Sequence, residues 1–242
     1  MQPEDLARLM TAHPFRVLND QGGNPSGQIV TCPVRVGFLA IDKLYASKKY
    51  PSRTPEASAT LIVPPSADLS ALQNEARRIA GQHFGAALNT PVSVNDPVSG
   101  QMVQTTAAKL MRWPWKSQSQ NKGKPGYSAD GSGIFLRAGS QFLPRVIDAK
   151  KNVIPSDDPA LYPGMWCLAL LRLYAYPKVL PPRFGAETIF GVNVGLVQLQ
   201  KIGDDARLSS GSNGDDAFGI LEHAGATAAA PANVPDASGI AW

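Results

Sequence analysis

The sequence predicts a mainly β fold with one or two helices, large loop insertions and a flexible C-terminal tail. Short runs rich in Val, Ile and Phe recur along the chain, and each is bounded by Gly, Pro or Asp, as strands are. The 242 residues include 22 glycines and 21 prolines, which indicate many loops. From residue 209 onward Ser, Gly, Asp, Asn, Ala and Pro dominate, so we expect no packed core there.

Five segments carry strand signals. They are residues 29–41, 57–63, 134–138, 165–176 and 188–202. In the last segment apolar and small or polar residues alternate, with one break in phase between Leu196 and Leu199. Such a break indicates a β-bulge, and a long alternating strand can close a barrel.

Helical spacing is clearest just after the second strand. Leu69, Leu72 and Ala76 begin an i, i+3, i+4 pattern that predicts a helix from near Asp68 to Gly85, with Ser66 as its cap. Residues 1–28 are mixed and end in a Gly- and Pro-rich loop. Residues 89–133 form an insertion with a short helix over 105–112. We therefore predict one domain over residues 1–207 and a tail over 208–242.

Several classes of protein are disfavoured by what the sequence lacks. Cys32 and Cys167 form no metal-ligand or disulfide pattern, and no nucleotide-binding, hydrolase or metalloprotease motif occurs. No apolar run is long enough for a signal peptide or a membrane span, so we expect a cytoplasmic protein. Paired aspartates, such as Asp157 and Asp158, leave a metal-dependent nuclease open as an alternative to solvated turns. We predict no cofactor and no metal.

Charge is distributed unevenly along the chain. The net charge is +4, but residues 208–242 contain four acidic residues and no Lys or Arg, which leaves +8 on residues 1–207. A basic body suits a polyanionic ligand, and an acidic tail can compete with that ligand or contact a partner protein. Because the tail ends in Ile240-Ala241-Trp242, we predict that Trp242 binds a partner; an inert tail is the alternative.

Cations and flat rings are interleaved between residues 109 and 127, where no Asp or Glu occurs. The residues are Lys109, Arg112, Trp113, Trp115, Lys116, Lys122, Lys124 and Tyr127. Single-stranded nucleic acid is bound by this combination, because cations neutralise phosphates and aromatic faces stack on bases. In the alternative interpretation, the two tryptophans are core residues of the insertion and the lysines only solubilise it.

Two further clusters also combine cations with aromatic rings. A predicted loop between the first two strands contains Lys43, Tyr45, Lys48, Lys49, Tyr50 and Arg53. On the fourth strand, Arg172, Tyr174 and Tyr176 share one face by period-two alternation. The loop is alternatively a solvated connection, and the tyrosines are alternatively cross-strand packing partners on a solvated sheet.

Several segments together resemble a known family. They are 134–140 (IFLRAGS), 144–149 (PRVIDA), 161–166 (LYPGMW), 174–176 (YAY) and 191–201 (GVNVGLVQLQK), with Lys49-Tyr50 and 58–64 (SATLIVP) nearer the N-terminus. In order and spacing they are similar to tailed-bacteriophage single-stranded DNA-binding proteins with an OB fold. Family members tend to place a lysine after the proline of the 58–64 segment, whereas Pro65 stands here.

The resemblance implies an OB fold, a five-stranded Greek-key barrel, that binds single-stranded DNA without catalysis and without sequence preference. Such a protein coats strands exposed during phage DNA replication or recombination, in the cytoplasm of the infected bacterial host. Phage replication or recombination proteins are then the expected partners of the tail. The oligomeric state stays open, with a homodimer among the options, and an all-β virion structural protein is the alternative function.

The three clusters and the resemblance combine into one set of predicted DNA contacts. These residues are Lys48, Lys49, Tyr50, Arg53, Lys109, Arg112, Trp113, Trp115, Lys116, Lys122, Lys124, Arg137, Arg172, Tyr174 and Tyr176. Sequence-independent binding is expected because backbone charge and stacking do not distinguish bases.

Overall fold

The computed structural model describes residues 1–47, 54–95, 100–179 and 188–208. This part is mainly β, as the sequence predicts, with two α-helices. The helices are α1 (Pro3–Ala12) and α2 (Ser70–Phe84). The strands are β1 (Arg16–Asn19), β2 (Pro25–Val30), β3 (Val34–Tyr45), β4 (Glu56–Val63), β5 (Pro91–Asn95), β6 (Met102–Thr106), β7 (Trp115–Ser117), β8 (Ile134–Ser140), β9 (Arg145–Ile147), β10 (Val153–Ile154), β11 (Trp166–Val179) and β12 (Thr188–Gly203).

Five strands form a closed ring. Around the ring β3 pairs with β4, β4 with β8, β8 with β12, β12 with β11, and β11 again with β3. The β8–β12 contact is parallel and the other four are antiparallel. Side chains alternate, so that Ala57, Ala59, Leu61 and Val63 of β4 are buried inside the ring while Ser58 points outward. The ring encloses the main core.

The ring has its fewest strand-to-strand pairs between β8 and β12, where only Gly139 and Gly195 pair directly. A segment of the insertion occupies this gap: β7 pairs with the first half of β8, and the backbone of Arg112 bonds to that of Phe190 and Val192 on β12. Strand edges left open inside a fold would carry unpaired backbone groups. The insertion therefore completes the ring.

Helix α2 packs against β1, β2, β11 and β12. Its buried side chains include Leu72, Ala76, Ala80 and Phe84, which confirms the periodicity that predicted it. The predicted cap is wrong: the Asp68 carboxylate, not Ser66, accepts a hydrogen bond from the backbone N–H of Ser70 at 2.9 Å.

The register shifts at four places in the β11–β12 and β3–β4 pairs, and two of these shifts are single-residue bulges that bear on the prediction and on the outer surface. The predicted break in β12 is confirmed, because Leu196 pairs with Leu171 and Gln198 with Leu170, which leaves Val197 as the extra residue. A second bulge lies in β3 at Gly37, between the pairs Val36–Leu61 and Phe38–Thr60. A bulge reverses the face on which the following residues point.

Three regions differ from the sequence prediction. The strand predicted over 29–41 is two strands, the end of β2 and most of β3, with Pro33 in the break between them, and β3 continues to Tyr45, into the predicted basic loop. Residues 1–28, predicted as mixed sequence that ends in a loop, contain α1, β1 and the start of β2. The helix expected over 105–112 is the end of β6 followed by a 3-10 helix, Ala107–Leu110. Thr105 and Thr106 are β-branched and pair with β5, which explains the strand.

Residues 204–208 fold back onto the ring, and we call them the C-terminal clasp. The Asp205 carboxylate accepts a hydrogen bond from the Trp166 indole at 2.8 Å and lies 3.5 Å from the Arg35 guanidinium. Tyr162 donates to Asp204 at 2.8 Å. These contacts hold the end of β12 against the 161–166 segment. No helix among the described residues combines the length and apolarity needed to cross a membrane.

Candidate nucleic-acid interface

One row of side chains crosses the outer face of three neighbouring strands of the ring. Phe38 of β3 pairs with Thr60 of β4, and Thr60 pairs with Arg137 of β8. Phe38 is 50% exposed and Arg137 is exposed, whereas Thr60 is buried between them. We call these three residues, together with Tyr127 at their margin, the Arg137 patch.

Arg137 is held by its neighbours rather than by an acidic partner. Its guanidinium lies over the ring of Phe135, 5.8 Å from the centroid, and Phe135 in turn meets the ring of Tyr127 edge-on at 5.6 Å. Arg137 makes no ion pair with any described residue. An oriented cation without a counter-charge is suited to a phosphate.

Tyr127 forms the wall of the patch on the side of the insertion. Its hydroxyl lies 3.6 Å from the position that a Cβ on Gly37 would take. Burial raises the pKa of Tyr127, partly offset by the charge of Arg137. The hydroxyl is therefore neutral at physiological pH and can donate a hydrogen bond to a base or a phosphate.

Arg172, Tyr174 and Tyr176 lie on the outer face of β11, as predicted, and we call them the tyrosine row. They pair with Gly195, Asn193 and Gly191 of β12. The Tyr176 ring covers Gly191, where a Cβ would lie 2.6 Å from the ring, and Asn193 donates to the Tyr174 hydroxyl at 3.2 Å. The tyrosines thus pack across β12 on glycine and asparagine instead of on aromatic side chains, and their contact with DNA stays a prediction.

A strip of small residues joins the two surfaces. Gly139 of β8 and Gly195 of β12 are neighbours, and both point outward between Arg137 and the tyrosine row. The carboxylate of Glu56 lies over Gly139, 2.9 Å from where a Cβ would be. Burial raises the pKa of Tyr174, the Asn193 hydrogen bond partly offsets this, and the negative charge of Glu56 raises it further.

The two tryptophans of the insertion stack on each other. The rings of Trp113 and Trp115 are 5.3 Å apart and nearly parallel, at 5°, and both are half-buried against the core. The faces of these rings that meet the core therefore have the packing role that the alternative interpretation gave to the two tryptophans. Their contact with DNA stays a prediction.

The cations of the insertion do not form one cluster. Lys116 is exposed and pairs with Phe135, which places it beside the Arg137 patch. Arg112 is exposed while its backbone bridges to β12. Lys109 and Lys122 are exposed elsewhere on the insertion, and exposed Lys124 donates to Asn121 at 2.9 Å.

Five predicted contact residues lie outside the described residues: Lys48, Lys49, Tyr50, Arg53 and Trp242. The strand that leads into the basic loop is described. There the ammonium of Lys43 lies 5.4 Å from the centroid of Tyr45, whose hydroxyl donates to Asp42 at 2.7 Å.

Phe38 is the residue of the patch that sequence reasoning missed. Because Val34 and Val36 are buried, strict alternation would place residue 38 inside the ring as well. The bulge at Gly37 reverses that phase. A glycine inside a strand pattern is a recognised signal of a bulge, and it was the clue available in the sequence.

Metal ligands are not gathered at either surface. Across the described ranges, no group of three His, Cys, Asp or Glu side chains is placed to hold a metal ion. The arrangement instead offers cations, exposed rings and small residues along an open surface.

The described residues thus define a mainly β protein with a closed ring of strands, whose outer face carries exposed arginine and aromatic side chains. A family model described as "Enterobacter phage Enc34, ssDNA-binding protein" matches residues 27–228. The match covers most of the chain, and the chain therefore belongs to this family of phage single-stranded DNA-binding proteins. The resemblance seen in the sequence is confirmed.

Solved structures give further comparisons. The single-stranded DNA-binding protein of bacteriophage Enc34 with a C-terminal truncation is 17% identical, with a TM-score of 0.52 over 75% of this chain and 88% of that one. The same Enc34 protein in complex with single-stranded DNA is 17% identical, with a TM-score of 0.47 over 76% and 90%. The bacteriophage T7 single-stranded DNA-binding protein gp2.5 is 11% identical, with a TM-score of 0.45 over 76% and 95%. At such identity the likeness to the truncated protein concerns the fold alone.

No curated protein sequence matches this chain significantly.

Proposed function

We propose that this chain binds single-stranded DNA without sequence preference and without catalysing a reaction. The observation that carries the proposal is the Arg137 patch, in which an unpaired guanidinium and the exposed ring of Phe38 share one open face. Phosphates need the first and unstacked bases need the second. Membership of a family of phage single-stranded DNA-binding proteins supports the same function.

We also propose that the ring is an OB barrel. With β3, β4, β8, β11 and β12 counted as strands one to five, their order around the ring is 1-2-3-5-4. OB folds bind oligonucleotides on the face of strands two and three, beside the loops between strands one and two and between four and five. Here that face is β4 and β8, which carry Thr60 and Arg137.

The proposed path of the DNA runs from the Arg137 patch to the tyrosine row. Gly139 and Gly195 lie between them. Because the Glu56 carboxylate lies over Gly139, the DNA passes this strip with a base rather than a phosphate beside that carboxylate. At the far end Arg172 supplies a cation, and the rings of Tyr174 and Tyr176 supply stacking surfaces. Groups that can bind phosphates and rings that can stack on bases thus lie along a single outer surface.

The alternatives are less well supported. Family membership supports DNA binding rather than a structural role in the virion. A nuclease would need free carboxylates, but those of Asp204 and Asp205 accept hydrogen bonds from Tyr162 and Trp166 within the C-terminal clasp. In the pair Asp157 and Asp158, the Asp158 carboxylate accepts a hydrogen bond from the backbone N–H of Ala160 at 2.7 Å, as in a turn. Asp215 and Asp216 lie outside the described residues.

We further propose that Lys48, Lys49, Tyr50 and Arg53, which follow β3 in the sequence, contact the DNA. We propose that the protein acts in the cytoplasm of the infected host during phage replication or recombination. Contact between Trp242 and a phage replication or recombination protein stays a prediction.

The central test is Arg137→Ala, measured with a dye-labelled oligo(dT) by fluorescence anisotropy over a series of salt concentrations. Loss of one phosphate contact lowers the slope of log K against log salt by about 0.7 for single strands. Binding of oligo(dT), oligo(dA) and oligo(dC) should weaken to a similar degree. Arg8→Ala is the matched control, because Arg8 is an exposed arginine on α1. Equal slopes for R137A and R8A would remove Arg137 from the interface.

Phe38→Ala tests the stacking half of the proposal. We expect a loss of about 1–3 kcal/mol of binding free energy, with the salt slope unchanged, because stacking releases no counterions. Phe38 is half exposed, so the variant should keep the melting temperature of the parent within a few degrees, as about 1 kcal/mol or less of stability is at stake. Unchanged affinity in a folded F38A protein would contradict the prediction.

A further inference from the structure

An open depression lies on the outer face of the sheet where β1 and β2 extend the ring past β11 and β12. Its volume is about 180 Å³. Its lining includes Arg16, Val30, Leu168, Leu170, Gln198 and Gln200. On the same measure one water molecule needs only about 10–15 Å³, so the depression has room for a group larger than a single water. We call it the leucine depression.

The leucine depression continues the tyrosine row on the same strand. Outward residues of β11 are Leu168, Leu170, Arg172 and Tyr174, in period-two order. Alternate residues of a strand are about 7 Å apart, so Leu170 and Arg172 are direct neighbours on the surface. A strand of DNA that lies on the tyrosine row therefore reaches the depression without leaving the sheet.

Positive charge flanks the depression on both sides. In register, Arg16 of β1 pairs with Val30, Val30 with Leu170, Leu170 with Gln198, and Gln198 with Arg145 of β9. Arg16 and Arg145 at the two ends of this row are exposed, and neither makes an ion pair with a described residue. An apolar floor between unpaired arginines suits a ligand that has an apolar flat part and anionic groups.

The floor also carries amide groups for hydrogen bonding. Gln200 donates to the backbone carbonyl of Asp148 at 3.2 Å, which fixes its side chain. The Gln198 amide makes no hydrogen bond to another described side chain. A free amide can pair with the polar edge of any base, because it contains both a donor and an acceptor.

We propose that the leucine depression binds a nucleotide of the same DNA strand, beyond the Arg137 patch and the tyrosine row. This inference rests on the proposed function and extends it: the DNA path wraps from β3 round to β1, and a base lies on Leu168 and Leu170. Arg16 and Arg145, four strand spacings apart, bind phosphates of the nucleotides that precede and follow that base. An apolar side chain of a second copy of the chain is the competing occupant.

The test compares the full-length parent with Arg16→Glu and Arg145→Glu over oligo(dT) lengths from about 4 to about 16 nucleotides, the range of site sizes of single OB folds. We expect both variants to match the parent on the shortest oligonucleotide that binds, and to lose the gain in affinity that the parent shows with length. On the longest oligonucleotide the salt slope should fall by about 0.7 for each phosphate contact removed. Both positions are exposed, so the variants should remain folded.

Arg8→Glu is the matched control, because it changes the net charge equally at an exposed arginine on α1. If R16E and R145E behave as R8E at every length while R137A still weakens binding, the depression is not part of the DNA path and only this inference fails. If the parent itself does not bind, the proposed function fails with it. Light scattering tests the competing occupant. If the parent forms a dimer that R16E loses, and the affinity of R16E depends on oligonucleotide length as that of the parent does, the depression binds a second copy of the chain.

Discussion

At the scale of single residues, the proposed interface depends on which charges lack partners. Arg137 lies over Phe135 and makes no ion pair with a described residue, whereas Arg35, whose strand partner Ile62 lies two residues from Thr60 on β4, is paired with Asp205. Two arginines on one sheet therefore differ in role: the paired one fastens the C-terminal clasp, and the unpaired one is available to a phosphate.

Glu56 is the residue whose position opposes the proposed ligand. Its carboxylate lies over Gly139, in the middle of the path between Arg137 and the tyrosine row. A negative charge there repels phosphates, so it weakens binding and favours poses in which a base, not the backbone, lies beside it.

Glu56→Gln should therefore tighten binding of oligo(dT). Exposed charge pairs contribute up to about 1 kcal/mol, so we expect a gain of up to about fivefold at low salt. The gain should disappear at high salt because exposed charges are then screened. Anisotropy titrations at two salt concentrations measure both effects, with Glu4→Gln on α1 as the control. Weaker binding of E56Q would instead mean that the carboxylate accepts a hydrogen bond from the DNA.

At the scale of elements, three short features determine the shape of the interface. The bulge at Gly37 turns Phe38 outward, β7 fills the gap between β8 and β12, and the C-terminal clasp closes over the 161–166 segment. The clasp also reaches the insertion, because Leu208 lies against Gly126, next to Tyr127 of the Arg137 patch.

Gly164 is the point at which the clasp is most sensitive to substitution. Its φ is 118°, which residues with a side chain rarely adopt, and a Cβ there would collide with the backbone carbonyl of Ala206. Gly164→Ala should lower the free energy of unfolding by about 1–3 kcal/mol or more, from backbone strain. Thermal unfolding followed by circular dichroism measures this, and Gly81→Ala, on the open side of α2, is the control. An unchanged melting temperature for G164A would show that the clasp is not rigid.

At the scale of the whole molecule, a chain of surfaces runs round the outside of the ring. The Arg137 patch, the strip of glycines, the tyrosine row and the leucine depression follow one another across β3, β4, β8, β12 and β11 to β1. Along each strand, the side chains between these surface residues point inward and form the core. The alternation of side chains along the strands therefore produces both the core that stabilises the ring and the outer surface.

The clasp makes the stability of this assembly sensitive to acid. The ion pair with Lys201, and then the hydrogen bond from Tyr162, lower the pKa of Asp204. A carboxyl whose pKa is lowered on folding stabilises the protein above its unfolded pKa of about 3.9, and this contribution is lost as the pH falls through the lowered value. The ionised form of Asp204 is thus the one that favours the folded state.

Asp204→Asn should lower the melting temperature at neutral pH, because the amide keeps the acceptor for Tyr162 but loses the charge that pairs with Lys201 at 2.6 Å. The difference between variant and parent should shrink as the pH is lowered below about 4 and the parent carboxyl is protonated. Melting curves between neutral pH and about pH 3 test this, with exposed Asp5→Asn as the control. A difference that stays constant over that range would contradict the role of the charge.

The sequence by itself determined four strands of the ring, the helix α2, the bulge at Val197 and the family, but it joined the fifth strand, β3, to β2. These features depend on local periodicity and on motifs, both of which can be read from neighbouring residues. It also placed Arg172, Tyr174 and Tyr176 on one face, since alternation within one strand needs no knowledge of the partner strand.

Only the tertiary structure decided which side chains meet. Phe38 faces outward because of how β3 pairs with β4, Trp113 and Trp115 are half-buried because β7 fills a gap in the ring, and Arg35 is paired because Asp205 returns from the far end of β12. Each of these contacts joins segments distant in sequence, and strand pairing between distant segments leaves no periodic signal in either one. The physical reason is that register and burial are properties of the pair of strands, whereas a sequence pattern reports only one strand at a time.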